Sequence, residues 1–333
     1  QTLAGAWPLR EEDVPSFRER LKAYVVKAAR EAKLRTNWLD PCEAYEGALE
    51  EFVTAILEPS PENRFLQDFL EFQKTLAYFG ALNALSQVLL KIASPGVPDF
   101  YQGTELWTFS LVDPDNRRPV DFGERAALLA ALREEEEAGG RAALAKKLLG
   151  GWEDGRVKLY LIYKALHLRR SSRKLFENGE YIPVEAVGAR RRHVCAFIRR
   201  LENSWVLVAA PRLAARLYAA GLGLVSEEAK EPSPYFYHPA DPCPGLSQPS
   251  EAREPSPCFP PLPDSLLLPA ELWEDTALLL PEGAPEHWRN IFTDEEISAA
   301  PEGPEAAPAG RKTLPLARLF AGFPAALLTP DRT

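Results

Sequence analysis

Between Ser94 and Phe122 the chain reads SPGVPDFYQGTELWTFSLVDPDNRRPVDF. An apolar run punctuated by proline ends at Gly103. Glu105, Asp113, Asp115, Arg117, Arg118 and Asp121 follow, with Glu124 just beyond. A guanidinium beside a carboxylate can hold that carboxylate ionised and fixed in direction, and it can donate paired hydrogen bonds to ligand hydroxyls. Those are positioning roles. Cleaving a glycosidic bond with retention asks for more: a nucleophilic carboxylate and a second carboxyl acting as acid, about 5–5.5 Å apart. Asp113 and Asp115 are neighbours in sequence, but nothing in the pattern sets one apart as the acid. Two readings of this loop stand side by side. It is an ion-paired anchor between two parts of the fold, or at least one of its side chains touches a sugar.

Other catalytic patterns are absent. His167, His193, His238 and His287 are scattered and none sits with a serine or cysteine in a nucleophile setting. The sequence has no G-x-S-x-G, P-loop or G-x-G-x-x-G signature. Cys42, Cys195, Cys243 and Cys258 form no C-x-x-C and have no histidine at metal spacing, so free thiols in a reducing cytoplasm are expected, with a Cys243–Cys258 bridge as the minor alternative. No metal site and no cofactor is expected. Trp38, Tyr101, Trp107 and Trp152 have the flat faces that stack on pyranose rings, although core packing is the ordinary fate of each. Trp107 stands out because it shares the loop with the charged group.

The elements that must position this loop are legible from periodicity. Apolar residues at three- and four-residue steps predict a helix over 13–33, and a second runs to Leu57 after the break at Pro41. A long helix over 65–93 is apolar nearly all round and should be buried. GVPDFYQG reads as a short buried strand with its loop at the carboxyl end. Helices follow over 123–149 and over the stretch RVKLYLIYKALHLRRSS, whose basic end suits the helix dipole. Beyond Lys174 the texture changes to short alternating or apolar runs, RRHVCAFIRR and SWVLVAAPRL among them, which predict strands. SLLLPAELWEDTALLLPE and HWRNIFTDEEI predict further strands, and LPLARLFAGFPAALLTP a turn of helix and a final strand. Residues 230–263 are rich in proline and serine and read as a loop or partly disordered insert.

The fold class is therefore α+β. Residues 1–93 form a helical segment; residues 94–174 hold the strand, its charged loop and the following helices; residues 175–333 form an all-β unit with a flexible insert near 230–263. The 333 residues suffice for two domains of ordinary size, and 46% hydrophobic and 26% charged residues describe a globular chain. A net charge of −9 disfavours nucleic acid and anionic membrane as partners. No run of eighteen consecutive apolar residues marks a membrane span, and the opening residues lack a signal-peptide pattern. The chain contains no methionine and begins on Gln1, which reads as a piece of a longer protein.

PGVPDFYQGTELW resembles the last barrel strand of the α-amylase clan of glycoside hydrolases, whose Gly-x-Pro-x-x-Tyr-x-Gly-x-Glu pattern is met by Gly96, Pro98, Tyr101, Gly103 and Glu105. Within the clan, SLVDPDNRRPVDF closely resembles the maltooligosyltrehalose synthase family, as do KAAREAKLRTNW, YEGALEEFV, LHLRRSSRKLFENGEYIPV, HVCAFIRR and LARLFAGFPAALL. The resemblance spans nearly the whole chain and is weakest over 230–263. It implies an isomerase, an intramolecular glucosylmutase of trehalose biosynthesis. Such an enzyme exchanges the reducing-end α-1,4 bond of a maltooligosaccharide for an α,α-1,1 bond by a retaining mechanism, without an organic cofactor. The clan's catalytic Asp, Glu and Asp lie in earlier motifs (DxxxNH, GxRxD and an HD pair) that this chain does not contain. The resemblance therefore assigns no catalytic residue here and places those acids in a barrel upstream of Gln1, the expected protein partner. The substrate-binding residues it implies are Tyr101, Gln102, Glu105, Trp107, Asp113, Asp115, Asn116, Arg117 and Arg118, with Arg117 or Arg118 bracing the floor of a glucose subsite. On that basis the piece alone is expected to be inactive. A catalytically silent glucan-binding or structural module is the alternative.

Overall fold

The structure is a computed structural model that describes residues 1–224, 261–300, 304, 307–308 and 310–331. The insert expected near 230–263, together with His238, Cys243 and Cys258, lies almost wholly outside these residues. Cys42 and Cys195 are free thiols.

The first half is helical. A short helix α1 (Thr2–Ala6) leads into α2 (Val14–Ala32), which carries Pro15 in its first turn, where the missing N–H costs nothing. Helix α3 (Glu43–Ile56) returns alongside α2. Helix α4 (Arg64–Ala93) is capped by the Asn63 side chain, which accepts from the Leu66 N–H at 3.1 Å. Helix α5 (Phe122–Gly150) starts on Asp121, whose Oδ1 accepts from the Glu124 N–H at 2.8 Å, and it breaks at Gly140, where φ is +77°. Helices α6 (Arg156–Ser171) and α7 (Arg173–Asn178) complete this part.

The second half is built on antiparallel strands. They are β1 (Glu180–Pro183), β2 (Ala186–Val187), β3 (Val194–Leu201), β4 (Ser204–Pro211), β5 (Ala277–Leu279), β6 (His287–Asn290), β7 (Glu296–Ser298), β8 (Thr313–Pro315) and β9 (Ala326–Pro330). Helices α8 (Ala214–Gly221) and α9 (Leu316–Leu319) interrupt them. One sheet has six strands in the order β1-β3-β4-β9-β6-β7, and a second has three, β2-β5-β8. The longest pairing, β3 with β4, sets Phe197 opposite Val208 and Ile198 opposite Leu207. Strand β4 is buried from Trp205 to Pro211 because helix α4 covers one face of the sheet.

Two apolar cores result. The larger runs from Tyr78 on α4 through α5 and α6 into both sheets and ends at Leu328, so helices and sheets share one interior. The smaller holds Trp7, Phe17, Leu21, Val53, Leu57 and Leu66, and it also takes in Leu111 from the charged loop. Helix α4 is long and apolar enough to cross a bilayer by length and composition, but more than half of that stretch is buried in the larger core.

Three expectations need correction. The segment 97–102 forms no strand. A buried barrel strand needs neighbours on both sides to accept and donate its ladder, and among the described residues no strand pairs with it. Helix α8 occupies residues with no legible helical signal, so the second half is not all-β. Much of the stretch 265–282 expected as strand is a 3-10 turn (Ala270–Trp273) followed by only three residues of β5.

Candidate functional site: a loop braced by guanidinium groups

The charged loop is held from two sides. Helix α2 supplies one support. Its Arg20 and Lys27 are seven residues apart, hence on one face two turns apart. Arg20 Nη1 donates to Asp115 Oδ2 at 2.8 Å and to the Phe109 carbonyl at 3.2 Å, and Lys27 Nζ donates to the Asp113 carbonyl. Asp115 is saturated. Its Oδ2 also accepts from the Leu111 N–H at 2.6 Å, while Oδ1 meets Arg118 Nε at 3.0 Å. Its side chain is only 13% exposed. A carboxylate with both oxygens committed to guanidinium and backbone donors fixes a loop well and is badly placed to attack carbon or deliver a proton.

Helices α5 and α6 supply the other support. Arg125 Nη2 donates to the Gly103 carbonyl at 3.0 Å, its Nη1 to the Asp121 carbonyl at 3.0 Å, and its Nε to Glu105 Oε2 at 3.3 Å. Gly103 adopts φ +84°, and a Cβ there would stand 3.0 Å from Val120 Cγ2, so the turn demands glycine twice over. Trp107 Nε1 donates to the Trp152 carbonyl at 2.7 Å, and the two indoles meet edge to face at 6.5 Å. Lys158 on α6 donates to the Leu106 carbonyl at 3.3 Å and lies 5.5 Å from the centre of the Trp107 ring. Burial, and then the charge of Lys91, pushes the Lys158 ammonium down to about 8, against the opposing pull of Glu105.

The loop residues singled out from the sequence therefore divide. Asp115, Glu105 and Trp107 face inward and hold the loop. Tyr101, Gln102, Asn116, Arg117 and Arg118 are exposed together on its outer side. Tyr101 is tied to that group, its hydroxyl donating to the Asn116 carbonyl at 3.3 Å. Asp113 pairs with Arg117 across one turn, and this pair is open to solvent. Of the other aromatic candidates, Trp152 is buried in the larger core, whereas Trp38 is half exposed with the Arg30 guanidinium 5.0 Å from its ring centre. Sequence reasoning missed Arg20, Lys27, Arg125 and Lys158. All four reach the loop across long sequence separations; only the shared face of Arg20 and Lys27 on α2 offered a local hint.

Helices α2, α5 and α6 deliver an ion-paired loop that carries Gly103 and Glu105, the stretch through which the sequence resembles the α-amylase clan, and antiparallel sheets follow on a common core. No family model matches the sequence. Two curated Mycobacterium tuberculosis proteins, each named putative maltooligosyl trehalose synthase, are 36% identical to it over 221 residues, which is 66% of this chain and 25% of theirs. Two solved structures of maltooligosyltrehalose synthase from Arthrobacter ramosus, one of them a point mutant, align over 99% of this chain and 31% of their own length, at 31% identity and TM-scores of 0.64 and 0.63. The chain is thus similar to a portion of maltooligosyltrehalose synthases and spans 25% of the curated relatives it matches.

Proposed function

We propose that this chain is the C-terminal part of an enzyme that converts maltooligosaccharides to maltooligosyltrehalose by intramolecular transglucosylation, α-1,4 to α,α-1,1. In this reading it forms the rim of the glucose-binding cleft. The exposed cluster of Tyr101, Gln102, Asn116, Arg117 and Arg118 contacts sugar. Asp115, Glu105 and Trp107 serve it from behind. The nucleophile and the acid come from a barrel outside these residues, against which the 97–101 segment packs as its last strand. With Cys42 and Cys195 as free thiols, we place the protein in the cytoplasm.

One observation carries the reading. The most enclosed carboxylate of the loop, Asp115, has both oxygens committed to Arg20, Arg118 and the Leu111 N–H. Such a loop can present guanidinium and amide donors to hydroxyl groups and can exclude water from a neighbouring cleft. It does not supply the two differently protonated carboxyls that retaining chemistry uses. The purified chain incubated with maltopentaose should therefore leave every reducing end intact. Formation of a non-reducing trehalosyl product by this chain alone would show that the acids lie within it.

The outward display of Tyr101 and Arg117 also favours the second reading, a module that binds glucan without acting on it. Calorimetric titration with maltopentaose shows whether the isolated piece holds sugar or serves only as an anchor. Saturable binding at millimolar sugar, lost in Arg117→Ala, supports a sugar-contacting rim. A flat titration makes the loop a structural anchor only.

A further inference from the structure

A cleft of about 1070 Å³ lies between the two apolar cores. Trp7, Leu57 and Leu66 line it from the smaller core, and Tyr78 and Trp152 from the larger. Helix α4 runs along it. Leu66, Leu70, Gln73 and Ala77 follow one another at three- and four-residue steps, so they share one stripe of that helix. Gln73 is the polar member of an otherwise apolar row.

Gln73 is only 7% exposed, yet its amide has no hydrogen-bond partner among the described residues. Trp7 and Trp152 are 8% and 7% exposed, and neither indole N–H has a partner among those residues. Trp273 Nε1 is also unpartnered, but it is sealed in the core; the three groups on the cleft still reach open space. A buried polar group without a partner costs free energy, which a ligand supplying that partner recovers.

The lining selects the ligand. Its charged members are Arg18 and Lys74 against Glu11, Glu71, Glu153 and Asp264. Arg18 already donates to the Leu57 carbonyl at 2.7 Å, and Lys74 to Glu71 at 2.7 Å. An anion therefore meets an excess of carboxylates and cations that are already engaged. A wholly apolar occupant would leave the amide and both indole N–H groups without partners. A neutral molecule with apolar faces and hydroxyl edges satisfies both conditions. Aromatic and aliphatic walls take the faces, and the Gln73 amide, donor and acceptor at once, takes the hydroxyls. The volume lies just above the roughly 300–1,000 Å³ of sites for drug-sized ligands, so it suits linked sugar rings better than a single one.

We infer that this cleft is a second glucan-binding site, which holds a stretch of α-1,4-linked chain against Gln73, Trp7 and Trp152. The choice of an α-1,4-glucan among neutral oligosaccharides rests on the function proposed above; the cleft and its unpaired groups do not. Trp152 ties the cleft to the charged loop, since its carbonyl accepts the Trp107 indole N–H.

Two sugar sites make the calorimetric titration of the chain with maltopentaose a two-component curve. Arg117→Ala should remove the component of the rim. Gln73→Leu should weaken the component of the cleft at least tenfold, a loss of about 1.4 kcal/mol. Tryptophan fluorescence should follow the cleft component, and its saturable change should persist in Arg117→Ala. Gln73→Leu keeps nearly the same volume and removes an unpaired polar group, so it should unfold at a temperature no lower than the parent does. A second variant, Trp7→Phe, keeps a ring against Phe17 and Phe69 but drops the N–H, and it should weaken the same component severalfold. If the rim does not touch sugar, only the component sensitive to Gln73→Leu remains. If the cleft does not, only the component sensitive to Arg117→Ala remains, and the inference is overturned. It is also overturned by a flat titration of the parent, or by cellopentaose binding the cleft as tightly as maltopentaose.

Discussion

Neighbouring aspartates in the loop do different work because their surroundings differ. Asp113 pairs with Arg117 in the open, where both partners keep most of their hydration and the pair is worth little. Asp115 is enclosed, and removing its charge strands Arg20, whose side chain is only 16% exposed. Asp115→Asn should therefore lower stability by about 2 kcal/mol, the scale of lost hydrogen bonds to charged groups. Asp113→Asn should change it by less than about 0.5 kcal/mol. Urea unfolding of the two variants side by side checks this, and equal shifts would show that the loop is not gripped through Asp115. The sequence could not distinguish the two, since they are two positions apart in the same polar stretch. The difference arises from Arg20, ninety-five residues away in the chain, and from Leu111, which pulls the loop into the smaller core.

At the scale of elements, helices α2, α5 and α6 act as the holders of the loop, and Lys158 shows what that holding costs. Its ammonium lies among apolar and aromatic neighbours and is pushed down to about 8 from the ordinary lysine value. Between about pH 8 and 10.5 the unfolded chain then binds more protons at this position than the folded chain does, so stability from this group rises with pH across that window and is lowest below it. Lys158→Met removes the contribution. The difference in melting temperature between parent and variant should favour the variant at pH 7 and shrink as pH approaches 10; a difference that stays constant with pH would sink the argument. The holding elements themselves were legible. The 3.6-residue periodicity gave α2, α3, α4, α5 and α6 to within a residue or two, because each buries a stripe along its length; α4, expected to be buried all round, leaves Phe65, Phe72 and Leu76 exposed. What periodicity could not give was anything decided by a distant neighbour. Residues 97–102 have the composition of a buried strand but no strand beside them among the described residues. Helix α8 follows β4 after only Arg212 and Leu213, and its start is set by the left-handed turn at Leu213. The exposed and inward halves of the loop were likewise indistinguishable until α2 and Arg125 were in place.

The whole molecule is joined by a buried arginine. Arg199, on β3, is 1% exposed and donates to the carbonyls of Ala93, Leu175, Phe176, Gly179 and Glu180 at 2.9–3.4 Å. It thereby bonds the six-stranded sheet to the last turns of α4 and α7, whose final carbonyls have no partner within their own helices. Arg169 works beside it, donating to the carbonyls of Ile92, Ser94 and Gly96. Burial, followed by the charge of Arg169, shifts the Arg199 guanidinium downward, but carbonyl dipoles on several sides keep it accommodated. Arg199→Met should cost about 3 kcal/mol or more, because each carbonyl left buried without a donor costs roughly 1–3 kcal/mol. Calorimetry should show the single transition of the parent replaced by an earlier one, and an unchanged midpoint would refute the role. The helix tied down by these two arginines is itself a rod. Its 30 residues span about 45 Å at ~1.5 Å per residue. One end is pinned to the sheet, and from that end the backbone passes directly through Pro95, Gly96 and Pro98 to Tyr101. Axial play at Asn63, at the far tip, would be relayed along a stiff shaft to those residues, so the bearing of the charged loop is set as much by what grips the distant tip as by its immediate neighbours.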